Sequence, residues 1–88
     1  MVFEYDPNKS LLNLKKHGLG FDVAQVLWRD EKRLIFETAF EDEPRFGIIA
    51  VYEVKLWCAI YTLRNENIRI ISVRRAREYE EQIYHQSR

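Results

Sequence analysis

Hydrophobic and polar positions follow two different periods along this chain, and the change of period separates a helical part from a strand part. Residues 2–5 alternate like a short strand. Asp6 and Pro7 then predict the start of a helix, because Asp6 can accept a hydrogen bond from the first amides and proline fits the first turn. We expect this helix to run to about His17 and to end at Gly18 in the left-handed conformation.

A second, short helix is predicted directly after the first. Asp22 and Gln25 have the spacing of a capping box, and Phe21 and Val26 occupy the positions of a hydrophobic staple. The apolar pattern predicts that this helix ends near residues 28–29.

From residue 33 the pattern becomes typical of strands. Four runs rich in β-branched and aromatic residues follow, at 34–40, 45–52, 56–63 and 68–73. The acidic segment 41–43 and Pro44 separate the first two runs. Residues 53–55 and 65–67 predict tight turns between the others.

The remaining residues, 74–86, predict a third helix, with Ser72 as its cap and an apolar stripe that includes Tyr79 and Ile83. Because the connections between the four runs are too short for crossover helices, those runs are expected to form an antiparallel meander. The fold class is therefore α+β: a short N-terminal strand, two helices, a four-stranded antiparallel meander and a C-terminal helix.

Length and composition restrict the number of domains and the location of the protein. A length of 88 residues leaves room for one core, so a single domain over residues 1–88 is expected. Hydrophobic residues make up 47% of the chain, which favours a folded protein over a disordered one. The single cysteine, Cys58, excludes an intrachain disulfide, and no apolar run approaches the length of a membrane span. These features favour a cytoplasmic location.

Charge is unevenly distributed, although the formal net charge is zero. Residues 1–44 carry six Lys/Arg and nine Asp/Glu, whereas residues 45–88 carry eight Lys/Arg and five Asp/Glu. Five arginines and a single acid lie between residues 64 and 77; the arginines are Arg64, Arg69, Arg74, Arg75 and Arg77. Such a cluster can attract phosphate even in a neutral protein.

Three of these arginines are interpreted as phosphate ligands. Cations in the first turn of a helix oppose its macrodipole, so the arginines at the start of the third helix need acids or an anionic ligand nearby. We predict that Arg64, Arg69 and Arg74 bind phosphate. We expect Arg77 to pair with Glu80 or Glu81.

Other candidates are few. Lys15, Lys16 and His17 form a basic patch, and His17 can exchange protons near neutral pH. Glu43 could act as a general base or contact a basic partner. We find no metal-ligand spacing, glycine-rich phosphate loop or Ser-His-Asp pattern, so a mechanism without metal or cofactor is favoured.

Three aromatic residues of the predicted sheet could stack on bases. They are Tyr52, Trp57 and Tyr61. Alternation places Trp57 and Tyr61 on one face of the sheet, where helices are expected to cover Trp57 and to leave Tyr61 partly open.

Three segments of the chain resemble the BrnT family. The opening F-E-Y-D-P-N-K at residues 3–9 is followed by Asn13, by K-H-G at 16–18 and by Phe21. The middle carries the family's E-x-R stretch as Glu43 and Arg45. The close, R-I-I-S-V-R-R-A at 69–76 with Glu80 and Tyr84 after it, is similar to the family's last motif.

The resemblance implies a bacterial type II toxin, a small ribonuclease that inhibits translation and has a fold similar to RelE-type toxins. It also implies a cognate BrnA-type antitoxin that neutralises the toxin, a possible toxin–antitoxin heterotetramer, and contact with operator DNA only through the antitoxin. Carried over residue by residue, the positions of interest are Lys16, His17, Glu43, Arg45, Arg64, Arg69 and Arg74.

The leading prediction from sequence is metal-independent RNA cleavage. Arg64, Arg69 and Arg74 would hold the scissile phosphate, and His17 would transfer protons. The side chains that would contact the RNA backbone are Lys15, Lys16, Arg45 and Arg75. The alternative is a module without catalysis that docks an acidic or antitoxin-like protein through the arginine cluster.

Overall fold

A five-stranded sheet with helices on both faces makes up the part of the chain that the computed structural model describes, residues 1–38 and 42–87. The elements are β1 (Phe3–Glu4), α1 (Pro7–His17), α2 (Phe21–Ala24) with a 3-10 turn after it (Gln25–Arg29), β2 (Leu34–Glu37), β3 (Arg45–Tyr52), β4 (Lys55–Arg64), β5 (Asn67–Arg75) and α3 (Glu78–Gln86). The strand order across the sheet is β1-β5-β4-β3-β2. The predicted α+β class is confirmed.

The sheet is mixed, which corrects the expectation of an antiparallel sheet. Strands β2 to β5 form the predicted antiparallel meander. However, β1 pairs in parallel with β5, with Phe3 opposite Ile68 and Glu4 opposite Arg69. Because α1, α2 and the strands β2 to β4 lie between β1 and β5 along the chain, nothing local in the sequence indicates this pairing.

The predicted limits of α1 are confirmed. The Asp6 carboxylate accepts a hydrogen bond from the Asn8 amide at 2.9 Å, and Gly18 ends the helix with a φ of 86°. The polarity of the helix is reversed, since its buried residues are Ser10 and Asn13. Both residues are buried because their side chains make hydrogen bonds to backbone groups outside α1.

The Asn13 side chain makes hydrogen bonds to the backbone of β5 at Val73, past the residues that pair with β1, and to the Leu19 carbonyl. Its Nδ2 donates to the carbonyls of Leu19 (2.7 Å) and Val73 (2.8 Å), and its Oδ1 accepts from the Val73 amide at 3.2 Å. The Ser10 hydroxyl accepts from the Phe21 amide at 2.8 Å. The predicted Asp22–Gln25 capping box is therefore wrong, because the N-cap of α2 is Gly20, two residues before Asp22, and Ser10 of α1 satisfies the first amide of the helix.

The main core lies between the sheet and the α1–α2 segment, on what we call the α1 face. Phe21, Leu27 and Trp28 pack there against sheet residues that include Ala59 and Tyr61. The Trp28 ring makes an edge contact with Tyr61 at 5.1 Å between centroids. Tyr61 is only 5% exposed, so the expectation that it is partly open to solvent is wrong.

Helix α3 covers part of the opposite face, which we call the α3 face. It packs over β2 and β3, where Leu34 and Ile49 line a small cavity with Ile83. The Tyr84 hydroxyl donates to Asp30 Oδ2 at 2.6 Å and anchors the C-terminal half of the helix.

The boundary between β5 and α3 differs from the prediction. Strand β5 continues to Arg75, and α3 begins at Glu78 with Arg77 as its N-cap instead of Ser72. The reason is that β4 is long enough to keep Arg74 and Arg75 in the ladder. The first turn of α3 contains the acids that a helix N-terminus favours.

Both turns of the β3–β4–β5 meander have two residues with positive φ. Glu53 and Val54 have φ values of 48° and 72°, and Asn65 and Glu66 have values of 51° and 70°. The predicted tight turns are confirmed without the glycine that such turns usually carry. The predicted end of β2 at residues 39–40, and residue 41 of the acidic segment, lie outside the described residues.

Candidate functional site

A cleft at one end of the α1 face brings together four of the residues singled out in the sequence: His17, Tyr52, Trp57 and Arg75. Its volume is about 270 Å³. We call it the His17 cleft, and its lining residues are His17, Gly18, Leu19, Tyr52, Glu53, Lys55, Trp57 and Arg75. The cleft therefore combines an imidazole, two cations and one carboxylate with aromatic rings.

Two local features build this cleft. Gly18 ends α1 so that His17 stands in its last turn. The two-residue turn at Glu53–Val54 places Tyr52 and Lys55 opposite each other in the β3–β4 pair. Each feature is encoded by neighbouring residues, but their meeting depends on α1 packing against β5.

The position of Arg75 follows from the sheet register. Arg75 lies opposite Trp57 in the β4–β5 pair, and its guanidinium carbon is 5.6 Å from the centre of the indole. Trp57 is 7% exposed, and its Nε1 donates to the Tyr52 carbonyl at 3.4 Å. The ring is thus a supporting surface for Arg75, as expected for an aromatic residue under helical cover.

Tyr52 contributes a neutral hydroxyl to the cleft. Desolvation raises the pKa of Tyr52 above its ordinary value, and the charge of nearby Glu53 and a hydrogen bond to it act in the same direction. The phenol therefore stays protonated at neutral pH and can donate a hydrogen bond.

Four further arginines singled out in the sequence lie on the α3 face, opposite the face that carries the His17 cleft: Arg45, Arg64, Arg69 and Arg74. Arg45 and Arg69 are both opposite Thr62 in the ladder, so all three share one face. Arg64 follows Thr62 by two residues in β4, and Arg74 is opposite Cys58, four residues before Thr62. A strand turns successive side chains to opposite faces, which puts these two arginines on the same face as Thr62.

Each of the three predicted phosphate ligands has an acidic partner within the chain. The distances are 3.4 Å for Arg64–Glu43, 3.6 Å for Arg69–Glu4 and 2.7 Å for Arg74–Glu80. The predicted pairing of the Arg77 side chain with Glu80 is wrong, since Glu80 binds Arg74 and accepts only the backbone amide of Arg77.

Two conclusions from sequence change as a result. The prediction that His17 forms a single site with Arg64, Arg69 and Arg74 is wrong, because His17 lies on the α1 face and the three arginines lie on the α3 face. The alternative module that docks an acidic partner through these arginines must first open the ion pairs that they make with acids of the same chain, as RNA must.

The remaining candidates divide between the two faces. Lys15 and Lys16 are exposed in the last turn of α1, and Lys16 lines a second groove next to His17. Glu43 lies with Arg64, and Arg45 is half-buried near it in sequence.

Comparison with known families now decides the class of protein. A family described as the ribonuclease toxin BrnT of type II toxin–antitoxin systems matches residues 5–80. The chain belongs to the BrnT family. The protein is therefore a ribonuclease toxin, and as a member of a type II system it has an antitoxin as its partner. No individual curated protein matches the chain.

The BrnT match spans α1 and all four strands of the meander, so it includes both faces of the sheet. Within residues 1–38 and 42–87 no group of three His, Cys, Asp or Glu side chains is arranged to hold a metal ion. None of the helices in those residues combines the length and apolar character needed to cross a bilayer.

Sequence reasoning missed Lys55 and Glu53 as residues that line the His17 cleft. Lys55 is a cation within one of the two predicted tight turns. Nothing in the spacing showed that this turn meets the end of α1, because 36 residues separate Glu53 from His17.

Proposed function

We propose that this BrnT toxin cleaves RNA without a metal ion in the His17 cleft. The observation that carries the proposal is the joint lining of one cleft by His17, Lys55 and Arg75. Phosphodiester cleavage by the neighbouring 2′-hydroxyl needs a group that moves protons and cations that stabilise the charge gathering on the phosphate. These three side chains supply both functions.

The proposed reaction breaks one bond and forms one. The 2′-oxygen attacks phosphorus and gives up its proton, the bond from phosphorus to the 5′-oxygen breaks, and that oxygen receives a proton. The products are a 2′,3′-cyclic phosphate and a 5′-hydroxyl end. His17 takes part in the proton transfers, since an imidazole can accept a proton as a base and donate one as an acid. Glu53 contributes a carboxylate to the cleft.

The same cleft offers contacts that position the substrate. Arg75 is held over Trp57, so its guanidinium is pre-oriented for a phosphate oxygen. The Tyr52 ring is half-buried and lines the cleft, where a base could stack on it. Lys15 and Lys16 extend the positive charge along α1 and are proposed to guide the backbone.

Several finer proposals come from the family resemblance. They are inhibition of translation, a RelE-like fold, a cytoplasmic location, neutralisation by a BrnA-type antitoxin within a heterotetramer, and contact with operator DNA only through that antitoxin. Phosphate contacts by Arg45, Arg64 and Arg69 stay a prediction, and so does a general-base role for Glu43. The ion pairs of Arg64 and Arg69 are exposed enough to be opened at small cost by RNA.

The test is RNA cleavage by the purified toxin and by His17→Ala and Arg75→Ala. We expect the rate with His17→Ala to fall by about 10²–10⁴-fold. The matched controls are His85→Ala and Arg29→Ala, which are exposed and do not line the cleft. An Arg69→Ala variant tests whether the α3 face contributes to RNA cleavage.

Two results would overturn the proposal. If His17→Ala cleaves normally while Arg69→Ala is inactive, the reaction belongs to the α3 face. If a chelator abolishes cleavage by the unaltered toxin, the reaction needs a metal.

A further inference from the structure

Helix α1 exposes leucines to solvent while it buries polar residues. Leu11, Leu12 and Leu14 are 59%, 65% and 48% exposed, whereas Ser10 and Asn13 are buried. Leu11 and Leu14 line a groove together with Tyr5, whereas Leu12 lines a different groove on the β5 side of α1.

The groove that Leu12 lines carries lysines as well as apolar side chains. It lies between α1 and β5 and has a volume of about 240 Å³. Leu12 and Ile71 contribute its apolar part. Ile71 belongs to the stretch of β5 that β1 does not reach, since β1 pairs only with Ile68 and Arg69.

The charge of the groove is of one sign. Lys9 and Lys16 stand three residues before and four residues after Leu12, so both lie on the same side of α1 as that leucine. None of the described residues that line the groove is acidic. The complementary ligand is a segment with apolar side chains between carboxylates.

We propose that the antitoxin of this toxin docks an acidic amphipathic segment in the α1–β5 groove. Its apolar side chains would pack on Leu12 and Ile71, and its carboxylates would pair with Lys9 and Lys16. RNA is the less suitable occupant, because a phosphate backbone gains nothing from the apolar side chains of Leu12 and Ile71.

The position of the groove provides a mechanism of neutralisation. His17 lines both the groove and the His17 cleft. A segment seated in the groove therefore covers one side of the imidazole and blocks the approach of RNA. This last step rests on the function proposed for His17, whereas the docking itself does not.

The test measures affinity for the protein encoded by the open reading frame adjacent to the toxin gene. Leu12→Glu and Lys9→Glu place negative charge in the groove at exposed positions, so both variants should fold like the unaltered chain. We expect Leu12→Glu to weaken antitoxin binding by at least about tenfold. Lys9→Glu should mainly slow association and reduce its dependence on salt.

Matched controls carry the same changes elsewhere. Leu63→Glu and Lys32→Glu alter exposed residues outside the groove and should leave antitoxin affinity unchanged. Free Leu12→Glu should still cleave RNA, and in cells it should escape neutralisation by the antitoxin. Thermal unfolding of each variant verifies the fold.

The proposal is overturned if Leu12→Glu and Lys9→Glu bind the antitoxin as tightly as the unaltered toxin. It is also overturned if they lose affinity for a single-stranded, 2′-O-methylated RNA while antitoxin binding is unchanged. Failure of the catalytic proposal looks different, since cleavage would then persist in His17→Ala whatever happens to antitoxin binding.

Discussion

Glu80 binds both terminal nitrogens of Arg74 through its two carboxylate oxygens. The distances are 2.7 Å from Nη1 to Oε1 and 3.0 Å from Nη2 to Oε2, and the Glu80 side chain is only 3% exposed. Glu80 also accepts the Arg77 amide at 2.7 Å. The pair thus joins the end of β5 to the first turn of α3, which gives Arg74 a structural role.

Replacing Arg74 by alanine should strongly destabilise the fold. The change leaves the buried Glu80 carboxylate without its cation, which we expect to lower the free energy of unfolding by about 3 kcal/mol. Urea denaturation measures this difference. Arg64→Ala is the control, since its exposed pair with Glu43 should contribute less than about 1 kcal/mol. An Arg74→Ala protein as stable as the unaltered one would contradict the structural role.

Stability should fall in acid because of Glu80. Burial by itself raises the pKa of this carboxyl, but the hydrogen bonds from Arg74 and the Arg77 amide outweigh it and hold the pKa below the ordinary 4.5. A carboxyl with a depressed folded-state pKa stabilises the protein above its unfolded value, and this contribution is lost as pH falls through the folded value.

We therefore expect the free energy of unfolding to decrease below about pH 4.5, and to decrease less steeply in Glu80→Gln. Denaturant titrations between neutral and acidic pH provide the measurement. Glu78→Gln, an exposed change in the same helical turn, should keep the steep decrease. Some slope should persist in every variant, because the pKa of Asp30 is also lowered: burial opposes this, but the hydrogen bonds from Tyr84 and the Val51 amide prevail.

Asn13→Leu should cost stability even though it makes the interior more apolar. The change leaves the Val73 amide and the carbonyls of Val73 and Leu19 without the amide that satisfies them. We expect a loss of about 2–3 kcal/mol in the free energy of unfolding. Asn8→Leu, an exposed change in the same helix, is the matched control. Equal stability of the two variants would argue against this bridging role.

Val54→Gly should stabilise the protein. Val54 has a φ of 72°, a conformation that is costly for a β-branched residue, and its side chain is 97% exposed. Relief of the backbone strain should exceed the added entropy of the unfolded chain by about 0.5–1 kcal/mol. A rise in melting temperature of a few degrees would show it. Val51→Gly, in the extended β3 strand, should have the opposite effect.

Lys55→Ala should slow RNA cleavage without unfolding the protein. Lys55 is exposed at the start of β4 and lines the His17 cleft, so its loss removes charge stabilisation from the proposed transition state. We expect a decrease in cleavage rate of about 10²-fold. Lys55→Arg should retain more activity than Lys55→Ala. Lys32→Ala, an exposed change away from the cleft, should cleave at the normal rate.

The sequence by itself determined the elements whose causes lie within a few residues. The limits of α1 are set by Asp6, Pro7 and Gly18. The short segments between the strand runs predicted both turns of the meander. The family motifs indicated a ribonuclease toxin, and the comparison confirmed it. His17 and Arg75 were also identified as functional candidates, because imidazole and guanidinium groups suit phosphate chemistry wherever they occur.

Only the tertiary structure decided which of these candidates lie together. Arg74 and Arg75 are neighbours in sequence, yet the pleat of β5 turns one toward Glu80 on the α3 face and the other toward Trp57 and the His17 cleft. The alternation was not predicted, because the sequence pattern places residue 74 at the start of a helix and not in a strand. The long ladder with β4 keeps both arginines extended, and strand register therefore separates the structural arginine from the one in the cleft.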